Sequence, residues 1–201
     1  MKLGILGTGK VAIMLADAWQ KAGHQIALGS RTPGSKELEF DVRNLADCVS
    51  RADVVINAIL GSSALETISG LDADIFAGKT LIDVSNATTP DFGLVYPDSS
   101  LAARLQRALP GANVVKSLNT AAMSVITNPV LVASSSIFLS GDSTEAKSQA
   151  ASLARDLGWP DESIVDLGGI DSARGAEHYI VMFATLARAL KSEAFNIQVA
   201  R

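Results

Sequence analysis

The chain has 201 residues, of which 48% are hydrophobic and 19% are charged, and its formal net charge is -4. This composition favours one compact α/β domain with a buried sheet, and the lack of a basic cluster interleaved with aromatic residues argues against nucleic-acid binding. No apolar run approaches the roughly 18 residues that a membrane helix needs, and the N-terminal apolar run is too short for a secretory signal. We therefore expect a soluble, cytoplasmic protein that contacts no membrane.

The single cysteine, Cys48, excludes an internal disulfide and a cysteine-rich metal site, and its spacing relative to Leu45 favours a packed thiol.

The first predicted strand ends in a glycine-rich turn. The apolar run 3–6 leads into Gly7-Thr8-Gly9-Lys10-Val11-Ala12, which fits the pattern G-x-G-x-x-(G/A) and precedes apolar residues at helical spacing. In such a turn, backbone N–H groups can approach a pyrophosphate at a helix N-terminus. The pattern also occurs in purely structural turns, but its place between a strand and a helix predicts a dinucleotide site.

The end of the second predicted strand indicates which dinucleotide is bound. Proteins that bind NAD place Asp or Glu there to accept a hydrogen bond from the ribose 2′-hydroxyl. This chain has Gly29-Ser30-Arg31-Thr32 instead. A carboxylate would repel a 2′-phosphate, whereas a hydroxyl and a guanidinium can bind it through charge-assisted hydrogen bonds. The sequence therefore predicts NADP(H) in preference to NAD(H).

Strand-like and helix-like segments alternate along the rest of the chain without a linker. Asn44 is typical of an N-cap before a short helix, and residues 53–59 have the near-continuous apolar pattern of a strand buried on both faces. Further strands are predicted at 80–85, 113–118, 136–140 and 163–167, and helices at 63–69, 101–109, 143–157 and 172–195. This alternation predicts an α/β fold, a Rossmann-type, doubly wound, mostly parallel sheet with a small C-terminal helical extension. We expect one NADP-binding domain over residues 1–201, with 136–201 as an αβ extension packed on it.

The carboxyl ends of the predicted strands mark the ligand crevice of such a sheet. If the pyrophosphate lies on Gly9 and Lys10, the nicotinamide extends across the strand order. It would then approach Ala58, Ile59, Asn86 and Asn119. Small residues such as Ala121 and Ala122 would leave room for a second flat ring. Asn86 and Asn119 also fit an alternative in which they are ordinary loop residues suited to turn geometry.

Four motifs, taken in order, resemble the coenzyme F420-dependent NADP oxidoreductases, their bacterial relatives and the NADPH-binding domains of the STEAP metalloreductases. The nucleotide turn with its Ser-Arg pair is shared with many reductases. The strand Val114-Val-Lys-Ser-Leu-Asn-Thr120 is followed by the segment Leu139-Ser-Gly-Asp142 and by Val165-Asp-Leu-Gly-Gly-Ile-Asp-Ser-Ala-Arg174. The first and last of these three are much more specific to the family. The resemblance covers nearly the whole chain. In archaeal deazaflavin enzymes a histidine tends to stand where this chain has Asn119, so the asparagine looks more like the bacterial and metalloreductase branch.

The resemblance also implies roles for residues at matching positions. Thr8 and Gly9 would hold the pyrophosphate, Ser30 and Arg31 the 2′-phosphate, while Asn119 and Thr120 would lie near the nicotinamide. The complete predicted cofactor-binding set is Gly7, Thr8, Gly9, Lys10, Val11, Ser30, Arg31, Ala58, Ile59, Leu60, Asn86, Asn119 and Thr120. Asn119 is also the predicted catalytic residue, because its amide can donate and accept hydrogen bonds together and so orient a carboxamide or an acceptor carbonyl.

The C-terminal part of the chain carries predictions about packing and assembly. We expect Asp171 or Ser172 to cap the last helix, with Arg174 solvated or paired to Glu177. The glycine pair before this helix either serves the turn alone or brings backbone close to an acceptor ring. The helix itself is apolar nearly all round, which predicts that it is buried, with a partner subunit of a homodimer as its cover.

No catalytic triad or metal motif accompanies the nucleotide motif. We expect surface or helix-packing roles for His24 and His178, and a snorkelling or salt-bridged role for Lys116. Hydride transfer between two flat rings requires close, oriented contact with water excluded, and no positioned acid is mandatory. The leading hypothesis is an oxidoreductase that passes hydride between NADP(H) and coenzyme F420 or a flavin. The alternatives are an NADPH-dependent reductase of a ketone or imine, and a non-catalytic NADP(H) sensor.

Overall fold

The computed structural model describes residues 1–35 and 37–200. Its main sheet has six parallel strands in the order β3-β2-β1-β4-β5-β6, which is the strand order of dinucleotide-binding sheets. The predicted Rossmann-type α/β fold is confirmed. The strands are β1 (Lys2–Leu6), β2 (Gln25–Ser30), β3 (Asp41–Asn44), β4 (Val54–Asn57), β5 (Thr80–Asp83) and β6 (Asn113–Lys116).

Helices cover both faces of this sheet. They are α1 (Lys10–Lys21), α2 (Leu45–Ser50), α3 (Gly61–Ser69), α4 (Leu101–Ala108), α5 (Met123–Ile126), α6 (Thr144–Asp156) and α7 (Ala173–Leu190). Short 3-10 turns occupy Ala73–Phe76, Pro129–Leu131, Asp161–Ser163 and Ile170–Ser172. Side chains of a strand alternate between its two faces, so the sheet separates two apolar cores. One packs against α1 and α6 and contains Trp19 and Trp159, while the other packs against α2, α3 and α4 and contains Phe76.

The C-terminal part adds a second, smaller sheet. Strands β7 (Ile137–Leu139) and β8 (Ile164–Asp166) pair in parallel. An isolated antiparallel bridge between Lys116 and Ser140 joins this pair to the edge of the main sheet at β6. Residues beyond α7 then run back over β7, where the Ser136 N–H donates to the Ile197 carbonyl at 2.8 Å.

The end of the last helix differs from the prediction. Helix α7 stops at Leu190 rather than at residue 195, because Lys191 adopts a left-handed conformation with φ of 52°. The chain then reverses, and the ring of Phe195 stacks on that of Phe183 with their centroids 5.0 Å apart. A tertiary contact between two aromatic rings therefore replaces the last helical turn.

The start of α7 agrees with the predictions only in part. Ser172 stands at the N-cap position, but a 3-10 turn precedes the helix and the Ser172 hydroxyl donates to the Gly169 carbonyl at 2.7 Å instead of capping it. Of the two alternatives for Arg174, pairing with Glu177 is wrong, since Arg174 is exposed and donates to the Pro97 carbonyl at 2.8 Å. The paired glycines do not line the cavity near the predicted nicotinamide position.

Over residues 1–35 and 37–200, no helix is long and apolar enough to cross a bilayer.

Candidate nucleotide-binding groove

A groove follows the carboxyl ends of the central strands. It consists of two cavities, of about 320 and 370 Å³, that share Gly9, Ala58, Ile59 and Leu60 in their walls. The side chain of Leu60 is 73% exposed at their junction. The groove lies where the strand order reverses between β1 and β4, the position at which open α/β sheets bind ligands.

The two glycines of the turn after β1 have different structural roles. Gly7 has φ of 125°, and a Cβ there would lie 2.8 Å from the Ala58 carbonyl oxygen. It therefore serves the close packing of two strand ends. Gly9 precedes α1 without a side-chain cap, and a Cβ there would meet no atom within 4 Å. The space beside Gly9 is open groove at a helix N-terminus, where N–H groups and the helix dipole favour an anion.

Among the residues that the structure describes, hydroxyl side chains and the guanidinium of Arg31 line the cavity at the β2 end. The Ser30 hydroxyl oxygen accepts from the Thr32 N–H at 3.1 Å, and the Thr32 and Ser35 hydroxyls lie 3.1 Å apart. Arg31 is exposed and pairs with no carboxylate in the described part of the chain, unlike Arg43, which bonds Asp41. An uncommitted guanidinium among hydroxyls suits a phosphate group.

The other cavity extends toward β5 and β6 and is closed by two asparagines. The Asn86 amide donates to the Asn119 backbone carbonyl at 2.8 Å, and the Asn119 amide donates to Asn86 Oδ1 at 2.9 Å. Asn119 also donates to the Ala176 carbonyl on α7 at 3.0 Å. Both amide hydrogens of Asn119 are thus used within the protein. The expectation that this side chain both donates to and accepts from a ligand is wrong, since only its oxygen remains without a partner.

Backbone strain lies next to this pair of asparagines. Leu118 is buried and has φ of 56°, a left-handed conformation that is costly for a bulky residue. Its side chain packs in the apolar core, so the turn after β6 is held by packing. This turn delivers Asn119 to the cavity and carries the chain away from the sheet.

Twelve of the thirteen predicted cofactor-binding residues line one or both cavities, and the exception is Thr120. Thr120 is 3% exposed and lines a separate apolar cavity of about 170 Å³ with Phe138, Tyr179 and Ile197. It follows Asn119 directly, yet the turn after β6 sends the two side chains into different cavities. Other residues line the groove without having been predicted to bind cofactor: Gly29, Thr32, Ser35, Leu45, Gly61, Ser63, Thr67, Val84, Ser85, Leu118, Ala121 and Met123. Ser85 had a usable signal, since it is a polar residue at the end of a predicted strand.

The remaining chemically distinctive side chains lie outside the groove. Lys116 is buried and salt-bridged to Asp83 and Glu177, which agrees with one of the two roles predicted for it. His24 contacts Asp156 at 3.0 Å, and His178 lies 3.1 Å from the Tyr96 and Ser99 carbonyl oxygens. Cys48 is buried, and burial raises its pKa to about 12, as expected for a packed thiol. No cluster suited to a metal ion occurs among the residues that the structure describes.

Known NADP-dependent oxidoreductases resemble this chain in sequence and in fold. The family described as coenzyme F420-dependent NADP oxidoreductase matches residues 2–87. A candidate F420-dependent NADP reductase from Arthrobacter sp. FB24 is 33% identical, with a TM-score of 0.94 over the full length of both chains. An imine reductase from Streptomyces aurantiacus is 16% identical, with a TM-score of 0.71 over 95% of this chain and 64% of its own, and shows the fold alone.

The curated relatives are longer proteins. Metalloreductase STEAP3 of Rattus norvegicus is 30% identical over 180 residues, which cover 88% of this chain and 36% of the relative. Human metalloreductase STEAP2 is 28% identical over 192 residues, which cover 92% of this chain and 37% of the relative. The chain thus spans just over a third of the length of these relatives. With the full-length match to the Arthrobacter protein, these findings confirm the resemblance seen in the motifs, and the chain belongs to the family of coenzyme F420-dependent NADP oxidoreductases.

Proposed function

We propose that this chain transfers hydride between NADP(H), bound along the groove, and a flat ring acceptor that is a deazaflavin such as coenzyme F420 or a flavin. The adenosine 2′-phosphate would lie by Ser30 and Arg31, the pyrophosphate by Gly9 and Lys10, and the nicotinamide by Asn86 and Asn119. The placement of these residues at successive positions along one groove supports this orientation.

The observation that carries the proposal is the chemistry of the nicotinamide end. Among its described lining residues only Lys10 is ionisable, and Lys10 lies at the start of α1 where the pyrophosphate is expected. Reduction of a ketone or imine gains from an acid positioned to protonate the product. A ring acceptor takes the hydride at the centre of its fused rings, on a carbon in a deazaflavin and on a nitrogen in a flavin, while a second ring nitrogen can take a proton from solvent. The neutral lining therefore favours the ring acceptor over the carbonyl or imine alternative.

The two asparagines suit the carboxamide of nicotinamide. Asn119 Oδ1 is buried and has no hydrogen-bond partner among the described residues, and we propose that the carboxamide of the cofactor donates to it. Asn86 uses one of its two amide hydrogens on the Asn119 carbonyl and makes no other bond as donor in the described part of the chain. A donor beside an acceptor is the complement of a primary amide. We propose that this pair sets the rotation of the nicotinamide and so the face from which hydride leaves.

The test is NADPH oxidation followed by its absorbance, with F420, FMN, FAD and a panel of ketones and imines as acceptors. Turnover with F420 or a flavin is the expected outcome. Turnover with ketones or imines alone would reject the ring acceptor in favour of the second reductase type. NADPH binding without turnover on any acceptor would leave the sensor as the function.

Replacement of Asn119 tests the geometry. Asn119→Ala should lower the rate of hydride transfer by about ten- to a hundredfold, because a misplaced ring loses alignment with the acceptor. NADPH affinity should fall much less than the rate, by about fivefold, since one hydrogen bond is lost while the adenosine and phosphate contacts remain. Asn119→Leu should be slower still, because leucine fills the cavity. Thr80→Val is the control, as Thr80 bonds Gln149 at the amino end of β5. An Asn119→Ala variant with the wild-type rate would remove this residue from the mechanism.

We also propose that two copies associate through α7. On the second half of this helix Val181, Met182 and Leu190 are 45%, 56% and 58% exposed, so the chain itself does not cover the apolar helix. A second copy offers the same strip, and an isologous two-fold contact pairs such surfaces.

A further inference from the structure

Lys116 holds a position that hydride transfer itself does not explain. Its ammonium lies between two carboxylates, 2.8 Å from Asp83 on β5 and 3.0 Å from Glu177 on α7. It also contacts the Ser85 backbone carbonyl. All three charged side chains are at most 2% exposed. One cation thus joins a central strand, the edge strand that carries it and the last helix.

Each of these three partners of Lys116 either lines the groove or is connected to a residue that does. Ser85 itself lines the nicotinamide end. Asp83 accepts from the Asn57 amide at 2.9 Å, and Asn57 Oδ1 accepts from the Ile59 N–H at 3.1 Å. Ile59 lines both cavities.

The third link runs through α7. Glu177 follows Ala176, whose carbonyl accepts from Asn119 at 3.0 Å. Both Glu177 oxygens also accept from the Leu101 N–H, at 2.9 and 3.0 Å, where α4 begins. Glu177 therefore holds α7 against the start of α4 and against Lys116. These contacts fix the position of α7, and with it the position of the Ala176 carbonyl that Asn119 contacts.

The charges of this cluster keep it assembled. Burial by itself would lower the pKa of Lys116, but Asp83 and Glu177 outweigh it and raise that pKa above its ordinary value. The ammonium therefore stays protonated at neutral pH. Removing one member of a buried ion pair leaves an uncompensated charge, and the surroundings must rearrange.

We propose that Lys116, Asp83 and Glu177 are positioning residues for the nicotinamide end of the groove, which they set through Ser85, Ile59 and Asn119 without touching the cofactor. The inference rests on the proposed function in one respect, the location of the nicotinamide beside Asn86 and Asn119. A purely structural role would change the affinity for the whole cofactor. A positioning role changes only the contribution of its nicotinamide half.

The experiment compares two ligands that differ only in that half. Binding of NADPH and of ADP-ribose 2′-phosphate, which lacks the nicotinamide, is measured by calorimetry on the wild type and on Glu177→Gln. The substitution keeps the shape of the side chain and removes one charge. We expect NADPH affinity to fall about fivefold, the equivalent of one ordinary hydrogen bond, with ADP-ribose 2′-phosphate affinity unchanged. The fluorescence of bound NADPH should also move toward that of free NADPH.

A second variant covers the case in which Glu177→Gln does not fold. Asp83→Asn removes the other carboxylate charge and leaves Lys116 paired with Glu177, and the same selective loss of NADPH affinity is expected. Thr80→Val is the matched control, because it removes a partly buried hydrogen bond from the opposite end of β5 and should leave both affinities unchanged.

The outcomes separate the two proposals. A wild type that binds both ligands equally, with NADPH fluorescence like that of free NADPH, would overturn the location of the nicotinamide and this inference with it. A wild type that prefers NADPH, with variants that shift both affinities together or neither, would overturn the positioning role alone.

Discussion

At the scale of single residues, the groove separates side chains that hold the fold from side chains that face open space. Gly7 is required by its positive φ and by the nearby Ala58 carbonyl, whereas Gly9 borders empty groove. Arg31 has no carboxylate partner among described residues, whereas Arg43 and Arg51 are paired with aspartates. The groove beside Gly9 and the guanidinium of Arg31 are therefore open to a ligand, and the proposed function uses both.

Arg31→Ala should weaken NADPH binding by about ten- to a hundredfold. A hydrogen bond to a charged group is typically worth about 1.5–3 kcal/mol. NADH lacks the 2′-phosphate and cannot form this bond. NADH binding should therefore change little. Titration of both cofactors into both proteins measures the difference. Equal losses would show that Arg31 does not bind the 2′-phosphate.

The two turn glycines should respond to substitution in opposite ways. Gly9→Val should fold and lose nucleotide binding, because its side chain occupies the space next to the helix N-terminus. Gly7→Ala should instead lower the free energy of unfolding by about 1–3 kcal/mol, because of its positive φ and the clash with Ala58. Thermal unfolding with and without NADPH separates the two effects. Undiminished stabilisation of Gly9→Val by NADPH would place the pyrophosphate elsewhere.

At the scale of elements, helix α2 depends both on a local N-cap and on tertiary packing against the sheet. Asn44 caps it as predicted, with its side-chain oxygen accepting from the Asp47 N–H at 2.9 Å. Its inner face packs closely on β1, where a Cβ on Gly4 would lie 2.8 Å from the Cys48 carbonyl oxygen. Strand β3, directly before this cap, was not predicted. It is a short edge strand with half-exposed, charged residues, so it lacks the apolar pattern of a buried strand.

The thiol beneath this helix gives a pH dependence with a definite sign. Burial raises the pKa of Cys48 from 9.0 to about 12, so above pH 9.0 the unfolded chain releases a proton that the folded chain keeps. Stability from this group is complete below that pH and falls as the pH rises, by at most about 1.4 kcal/mol per pH unit. Denaturant unfolding over this range should show a steeper loss for the wild type than for Cys48→Ala. Parallel curves would contradict the buried, protonated thiol.

At the scale of the whole molecule, the C-terminal part completes the groove. Residue 176 on α7 supplies the carbonyl that holds Asn119, and the strands β7 and β8 continue the sheet edge beyond β6. We therefore propose to regard 1–201 as one NADP-binding unit, with 136–201 as its extension. Association through α7 would then place the interface on the helix that also contacts the nicotinamide end.

Met182→Glu tests this assembly. Met182 is 56% exposed in the single chain, so a charge there should leave the monomer stable while it opposes burial in an interface. We expect a wild-type dimer at micromolar concentration by light scattering, and a monomer for the variant. Ser148→Glu, which adds the same charge to an exposed position on α6, should remain dimeric. A monomeric wild type would contradict the proposed association through α7.

The amino-acid sequence by itself determined the features that depend on short stretches of chain. The glycine turn, the Ser30-Arg31 pair, the Asn44 cap and the alternation of strands with helices follow from local periodicity and turn chemistry. The strand order then brings these ends together, because parallel strands align their carboxyl ends at one edge of the sheet.

Only the tertiary structure decided which side chains meet across that edge. Asn119 gives both amide hydrogens to partners 33 and 57 residues away, Thr120 lines a different cavity, and Lys116 is paired with carboxylates from β5 and α7. Such contacts depend on how a turn directs each side chain and on where a distant helix docks. Neither leaves a periodic signal in the sequence, because the energy of a buried polar pair depends on geometry and not on spacing along the chain.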